Sequence, residues 1–346
     1  MQNQKKARYS SLDGLRAIAA LGVVVLHVKQ ECDYEITGFW YQRFVSSLTH
    51  LPLLFMIISG FCMCCGYYEK IKENRISLTE FYTRRYQRVW PYFALLVVMD
   101  LLLGFSKEAL IEAFADLTLT YALLPNYKMS ILGVAWTLGV IFLFYILFPF
   151  FCFLIKDKRT AWFTLAVTTL YQVVCVHYFM DSAHVVAGYK AKLNILYCAV
   201  YFVAGGIIYL YREAISTWVA KYRWGVLGIF FVLWVLYYRI PFPEEVHGLW
   251  LAVFFALLLC YAIGTDGKVL NNKGMHFVGD ISMEIYLCHF GILRIAEKIG
   301  LKYWFGNGVT AYLFTCLFTI VGAVTFSACA KKVLYVIGKR IERKRV

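Results

Sequence analysis

The chain has 346 residues, of which 61% are hydrophobic and 16% are charged. This composition excludes a soluble globular protein, because soluble domains have about 45–50% apolar and about 25% charged residues. The net charge is +14, and the positions of the cationic residues explain it without a nucleic-acid partner.

Ten apolar segments approach the ~20 residues that an α-helix needs to cross a bilayer. In chain order they are 12–29, 48–66, 89–105, 130–155, 160–180, 193–211, 224–239, 246–264, 276–296 and 309–331. The segment 224–239 is the shortest, and we expect 106–128 to be an outer loop with an amphipathic helix. The sequence therefore predicts an all-α, polytopic membrane protein with about ten transmembrane helices. We expect one membrane domain over residues 1–346, with no appended soluble domain.

The distribution of lysine and arginine predicts the orientation of these segments. If the N-terminus is cytoplasmic, 24 of the 35 Lys and Arg residues fall in inner segments and nine in outer segments, while Arg16 and Arg294 lie within spans. This inner excess follows the positive-inside rule for ten spans in the cell membrane with both termini cytoplasmic. A basic C-terminal cluster is a candidate surface for anionic membrane lipid. It consists of Lys339, Arg340, Arg343, Lys344 and Arg345.

The first segment carries two ionisable side chains, Arg16 and His27. Their spacing of eleven residues is about three helical turns, which places both on nearly one face and roughly 16 Å apart. Because a charged group at membrane depth costs about 2.5–3.5 kcal/mol on insertion scales, we interpret both as functional. The alternative is an interfacial arginine paired with Asp13, together with a histidine that is hydrogen-bonded in the core.

Three arginines, Arg84, Arg85 and Arg88, precede the third apolar segment within the motif TRRYQRVWPYF. If this stretch is helical, Arg88 shares a face with each of the other two. Guanidinium groups bind phosphates bidentately and keep their charge, so the cluster predicts a site for a nucleotide-like diphosphate. Positive-inside anchoring by side chains that extend to the membrane surface is the alternative.

The ninth segment contains Asp280, Glu284 and His289. Counted from the inner ends of their segments, His289 and His27 lie at similar depths, whereas Asp280, Arg16 and the arginine cluster lie near the inner side. The sequence thus predicts an inner anion-binding layer and an outer imidazole layer. Purely structural roles stay open for His289, as a core histidine, and for Asp280, as a helix cap.

Several familiar site types are absent from the sequence. HExxH, GxSxG and Gly-rich phosphate loops do not occur, and the histidines show no metal-ligand spacing. The eleven cysteines lie mostly in apolar segments, where cysteine behaves as a small apolar residue. We therefore expect no metal. In the fourth segment, Trp136, Thr137 and Tyr145 either line a cavity or pack in the core.

These elements resemble the motifs of acyltransferase family 3, a group of polytopic enzymes that O-acylate carbohydrates. The spacing Arg16-x10-His27 is similar to the family's first signature, and RRYQRVWPY resembles its arginine-rich entry to the third span. LFMIISGF resembles its second-span pattern, and ISMEIYLCH its Ser-x3-Tyr-Leu-x-His element. Two positions depart from the family pattern: Ile141 stands where an acidic residue is usual, and Met283 replaces a common tyrosine.

The resemblance implies an integral-membrane acyltransferase with acyl-CoA, most often acetyl-CoA, as the donor. The CoA phosphates would lie against the arginine cluster and Arg16, and His27, beside His289, would take the proton from an acceptor hydroxyl. The acceptor would be a cell-envelope glycan at the outer face, with membrane lipid and other glycan-assembly proteins as further partners. Candidates for lining the substrate path are Trp136, Tyr145, Ser282, Glu284 and Tyr286.

Two other functions stay open at this point. A transporter or flippase of a lipid-linked saccharide would also place ionisable residues at several depths, without acyl chemistry. A scaffold or sensor derived from the enzyme family would explain Ile141. Loss of acyl groups from an intact surface polysaccharide would indicate the enzyme, whereas loss of export would indicate the transporter.

Overall fold

The computed structural model describes residues 9–124, 132–180, 183–185 and 188–343. Within these ranges the chain is predominantly helical, and the β-type pairing consists of an isolated bridge between Trp304 and Gly306. The α-helices are α1 (Ser11–Glu31), α2 (Leu51–Met63), α3 (Glu69–Lys72), α4 (Leu78–Leu103), α5 (Lys107–Leu117), α6 (Trp136–Leu154), α7 (Lys158–Val174), α8 (Ile195–Leu210), α9 (Arg212–Arg239), α10 (Glu244–Ile263), α11 (Lys273–Asp280), α12 (Ser282–Lys298) and α13 (Val309–Arg343). The predicted all-α fold class is confirmed.

Seven helical segments of the described chain are long and apolar enough to cross a membrane. They are Ser11–Glu31, Trp40–Lys72, Trp136–Leu154, Lys158–Phe179, Arg212–Arg239, Val246–Ile263 and Val309–Arg340. The other three predicted spans correspond to α4, α8 and α12. The helices α8 and α12 have 16 and 17 residues, and arginines occupy the first half of α4. A multi-pass membrane protein is therefore confirmed, whereas ten spans with both termini cytoplasmic stays a prediction.

Several sequence predictions extend beyond the described residues, among them the segment 130–155, whose first two residues lie outside the described chain. The helix α5 is the one expected within 106–128, and residues 125–128 of that range lie outside the described chain. Lys344 and Arg345 of the basic C-terminal cluster also lie outside it.

Polar side chains cap the N-termini of several helices by accepting hydrogen bonds from backbone N–H groups of the first turn. Ser77 caps α4 and Ser106 caps α5 in this way. Asp157 caps α7 through a reciprocal pair of hydrogen bonds with Thr160. The backbone N–H of Thr160 holds the pKa of Asp157 below its ordinary value, because it stabilises the carboxylate.

Two glycines allow α2 and α8 to pack with their backbones in contact. A Cβ atom on Gly60 would lie 2.4 Å from the carbonyl oxygen of Phe202, and a Cβ atom on Gly205 would lie 2.2 Å from that of Ile57. Neither position has room for a side chain, as is common where membrane helices approach closely. This contact fixes the wall of α2 that carries the predicted second-span motif.

A break at Ile281 divides the predicted ninth span into α11 and α12. The hydroxyl of Ser282 donates to the carbonyl oxygen of Gly279, 2.8 Å away, across this break. Gly279 also packs against α1, because a Cβ atom there would lie 2.2 Å from the carbonyl oxygen of Asp13. The first part of α12 contacts α4, and α12 also packs against α1 and α13.

Candidate active site

A cavity of about 370 Å³ lies between α1, α2, α4, α6, α11 and α12. This volume is within the range of about 300–1,000 Å³ that is typical of small-molecule sites. Its charged lining residues are Asp13, Arg16, Arg85, Arg88 and Asp280. Three of the candidate path residues, Tyr145, Ser282 and Tyr286, also line it. The cavity thus brings together charged residues that the sequence places almost 270 positions apart.

Two neighbours fix Arg16 on the cavity wall. Nη1 donates to Oδ1 of Asp13 at 3.1 Å, and Nη2 donates to the sulfur of Cys62 at 3.0 Å. The second carboxylate oxygen of Asp13 lies 3.1 Å from Nδ1 of His276. The Asp13–Arg16 pair expected from the sequence is present. Cys62 and His276 come from distant segments, and no spacing in the sequence predicts their contacts.

The arginines of α4 separate into different environments. Arg84 pairs with Glu80, one turn earlier, and does not line the cavity. Arg88 pairs with Glu284 at 2.9 Å, although that side chain is only 3% exposed. The ammonium of Lys331 lies 3.9 Å from the same Glu284 oxygen. A buried carboxylate needs such cations, because desolvation without a partner is costly. Glu284, a candidate for the substrate path, therefore does not line the cavity but pairs with Arg88, which does.

Arg85 has no carboxylate partner among the described residues. Its Nη2 donates to the Tyr67 hydroxyl at 2.6 Å. Its guanidinium lies 4.6 Å from the ring centre of Tyr67 and 5.8 Å from that of Tyr145. The buried Nε atom of Arg85 has no hydrogen-bond partner in the described chain. Contacts with aromatic rings hold a guanidinium without neutralising it, so Arg85 offers charge and a donor to an anionic ligand.

Tyr286 connects the cavity to the two predicted histidines. Its ring lines the cavity, and its hydroxyl lies 2.9 Å from that of Thr137. The ring centre of Tyr286 lies 5.8 Å from that of Phe55 and 6.0 Å from that of His289. The cavity therefore extends from the arginines to within one aromatic ring of the imidazoles.

His27 and His289 form a hydrogen-bonded pair. Nδ1 of His27 lies 2.8 Å from Nε2 of His289, and Nδ1 of His289 lies 2.7 Å from the carbonyl oxygen of Tyr286. Because a carbonyl oxygen only accepts, Nδ1 of His289 carries a proton and donates it. In the neutral imidazole, Nε2 of His289 then accepts from Nδ1–H of His27. The lone pair of His27 is therefore on Nε2, which makes this atom a proton acceptor.

Two residues of α6 differ in their relation to the cavity. Trp136 does not line it, and the ammonium of Lys192 lies 5.0 Å from the Trp136 ring centre. Ile141 lines the cavity, so the position that is usually acidic in the family pattern faces the site without a charge. In the part of the chain that the structure describes, no group of three or more His, Cys, Asp or Glu side chains is arranged to hold a metal ion.

Comparison with known proteins decides the family. Residues 9–328 match the acyltransferase domain of acyltransferase family 3. The chain belongs to this family. It is 24% identical over 340 residues to O-acetyltransferase OatA of Staphylococcus aureus (strain NCTC 8325 / PS 47), a match that covers 88% of this chain and 53% of OatA. The family resemblance found in the sequence is thereby confirmed.

A second relative is shorter. The chain is 28% identical over 334 residues to acyltransferase MdmB of Streptomyces mycarofaciens, and the match covers 84% of this chain and 81% of MdmB. By contrast, the chain spans about half the length of the OatA relatives. No solved structure matches it.

Proposed function

We propose that this family member is an integral-membrane O-acyltransferase that uses cytoplasmic acyl-CoA, with acetyl-CoA as the preferred donor. The acceptor is a hydroxyl of a cell-envelope glycan at the outer face. The relatives OatA, an O-acetyltransferase, and MdmB, an acyltransferase, support the reaction class. The proposal depends on one structural observation: only the ring of Tyr286 separates an arginine-lined cavity from a pair of imidazoles in which Nε2 of His27 is a proton acceptor.

The arginine side of the cavity suits the phosphates of the donor. Arg85 supplies a cation that no carboxylate of the described residues neutralises. Arg88 and Arg16 lie on the same lining, where each is already held by a carboxylate. Guanidinium groups bind phosphate through two parallel N–H donors, which gives both affinity and orientation. Beyond the arginines, Phe55 and Leu138 provide apolar lining for the pantetheine arm.

The reaction places His27 between the acceptor and the thioester. Nε2 of His27 takes the proton of the acceptor hydroxyl as that oxygen attacks the thioester carbonyl carbon. The new C–O bond forms, the C–S bond breaks, and the leaving CoA sulfur takes the proton from His27. General-base assistance of this kind is typically worth about 10²- to 10⁴-fold in rate. Throughout the reaction, Nε2 of His289 accepts a hydrogen bond from Nδ1–H of His27, so this proton stays on Nδ1. His289 is therefore a positioning residue.

The direct test is transfer of label from acetyl-CoA to a cell-envelope glycan by the purified protein in lipid vesicles. His27→Ala is expected to reduce transfer by about 10²- to 10⁴-fold. His177→Ala is the matched control, because His177 is an exposed imidazole that does not line the cavity. Undiminished transfer by His27→Ala would contradict the role of His27. Export of an unmodified polymer that depends on this protein would instead support a transporter.

A further inference from the structure

A cationic and aromatic cluster lies outside the arginine-lined cavity. Lys192, in the 3₁₀ turn Ala191–Leu193, places its ammonium 5.0 Å from the ring centre of Trp136. Trp136 directly precedes Thr137, whose hydroxyl lies 2.9 Å from that of Tyr286. The ring centre of Tyr286 lies 6.0 Å from that of His289, the partner of His27. We call Lys192, Trp136 and His50 the Lys192 cluster. It is distinct from the arginine-lined cavity, because none of its members lines that cavity.

Each member of the Lys192 cluster lies at or just before the N-terminus of a helix. His50 directly precedes α2, Trp136 is the first residue of α6, and Lys192 lies three residues before α8. The N-terminus of a helix carries a partial positive charge, which adds to the charge of a nearby ammonium. The ring of His50 lies 4.8 Å from that of His247. The cluster therefore carries positive charge, from the Lys192 ammonium and from these helix N-termini.

The charge of Lys192 is not neutralised within the part of the chain that the structure describes. No carboxylate among the described side chains forms an ion pair with it, and its close partner is the aromatic face of Trp136. The side chain is half-buried, and burial lowers the pKa of Lys192 from its ordinary value because the ammonium loses solvation. Partial burial of a cation without a counterion carries a desolvation cost, which an anionic ligand would offset.

We propose that the Lys192 cluster binds an anionic group of the acceptor saccharide and presents a neighbouring hydroxyl to Nε2 of His27. This inference rests on the proposed function and adds the class of acceptor. Trp136 is a positioning residue, since its ring holds the ammonium. The bound group is an oxyanion, which a uronic acid supplies as carboxylate and a sugar phosphate supplies as phosphate.

The experiment compares three acceptors that differ at one carbon: methyl glucoside, methyl glucuronide and methyl glucoside 6-phosphate. Purified protein in vesicles is supplied with labelled acetyl-CoA, and the KM of each acceptor is measured. The wild type is expected to favour at least one charged acceptor over the glucoside by roughly tenfold to a hundredfold, the usual effect of a charge-assisted contact. Which charged acceptor is favoured identifies the source of the oxyanion.

Lys192→Met is expected to remove this preference while leaving the KM for acetyl-CoA unchanged, and Lys192→Arg is expected to keep it. Lys190→Met is the matched control, because Lys190 is an exposed lysine two residues away. An equal preference in the wild type and Lys192→Met would overturn the inference, as would equal use of charged and neutral acceptors by the wild type. Thermal unfolding of each variant confirms that it is folded.

A binding measurement separates this inference from the proposed function. Saturation-transfer NMR reports contact between each saccharide and the protein without any acyl transfer. If no acceptor receives label but the charged saccharides bind in a Lys192-dependent way, the reaction is wrong and the anion site stands. If label is transferred without any charge preference, the reaction stands and the anion site is wrong. Absence of both label and Lys192-dependent binding overturns both.

Discussion

Nδ1 of His27 on α1 lies 2.8 Å from Nε2 of His289 on α12, although 262 residues separate the two histidines in the chain. A second hydrogen bond, from His289 to the carbonyl oxygen of Tyr286, fixes the direction of the first. In many enzymes a carboxylate orients the catalytic imidazole. Here a second imidazole, itself held by a backbone carbonyl, has that position. The proposed base therefore needs no acidic residue at position 141.

The first prediction concerns the accepting atom of His289. His289→Leu leaves Nδ1–H of His27 without an acceptor, which costs about 1–3 kcal/mol for a buried donor and lowers kcat by roughly 10- to 100-fold. His289→Gln places an amide oxygen within reach of the same N–H and is expected to recover much of the loss. Steady-state kinetics with both substrates varied separates kcat from the two KM values.

Thermal unfolding of the same two variants provides the control. A role in orienting His27 predicts that the glutamine and leucine variants differ in kcat more than in thermal stability. If both variants lose activity equally, in proportion to their loss of stability, His289 is a structural core residue. That result would contradict the positioning role.

The second prediction compares Arg85 with Arg84. The sequence predicts the same role, phosphate binding, for both arginines. Arg85→Gln removes the cation that has no carboxylate partner among the described residues, whereas Arg84→Gln removes one that already pairs with Glu80 outside the cavity. We expect Arg85→Gln to raise the Kd for acetyl-CoA by roughly 10- to 100-fold, because a hydrogen bond to a charged group is lost. Arg84→Gln is expected to change it less than about twofold. Equilibrium binding of labelled acetyl-CoA measures both, and equal weakening would exclude a specific role for Arg85.

Local features of the sequence predicted much of the fold and several residues of the candidate site. The length of each apolar run is a local property, so the positions of the ten segments are recovered as helices. Arg16 and His27 were found because an ionisable residue within an apolar run is costly wherever it packs. The arginine cluster was found because three guanidinium groups occur within five residues.

The features that the sequence could not predict depend on tertiary contacts between distant segments. Arg88 and Glu284 are 196 residues apart, and no spacing reveals that they pair. The break at Ile281 has no proline or glycine at that position to signal it. The sequence does not predict the contact of Lys192 with Trp136, because that contact depends on how α6 packs against the turn before α8. Local periodicity carries no information on such pairings.

The third prediction concerns the contact between α2 and α8. Gly60→Ala places a Cβ atom 2.4 Å from a backbone carbonyl oxygen, which is too close without a movement of either helix. Such overpacking costs about 1–3 kcal/mol. Because Ser59 and Cys62 line the cavity on either side of Gly60, we also expect a higher KM for acetyl-CoA. Thermal unfolding in detergent and steady-state kinetics measure the two effects.

Gly66→Ala is the matched control for this prediction. A Cβ atom on Gly66 meets no other atom within 4 Å, so its effect on thermal stability is expected to be within about 0.5 kcal/mol. Equal thermal stability of Gly60→Ala and Gly66→Ala would contradict the close approach of α2 and α8.

The fourth prediction tests the donor cavity without measuring catalysis. The sulfur of Cys62 lines the cavity and lies 3.0 Å from Nη2 of Arg16, so a bound donor is expected to shield it from N-ethylmaleimide. At an acetyl-CoA concentration about ten times Kd, the rate of Cys62 alkylation should fall by about tenfold, in proportion to the unoccupied fraction. Cys329, an exposed cysteine that does not line the cavity, is the internal control, and peptide mass spectrometry measures both sites in one sample.

In the Arg85→Gln variant, the same acetyl-CoA concentration should protect Cys62 much less, since donor binding is weakened. Equal alkylation of Cys62 with and without acetyl-CoA, under conditions where binding is measured independently, would show that the donor occupies a different part of the protein.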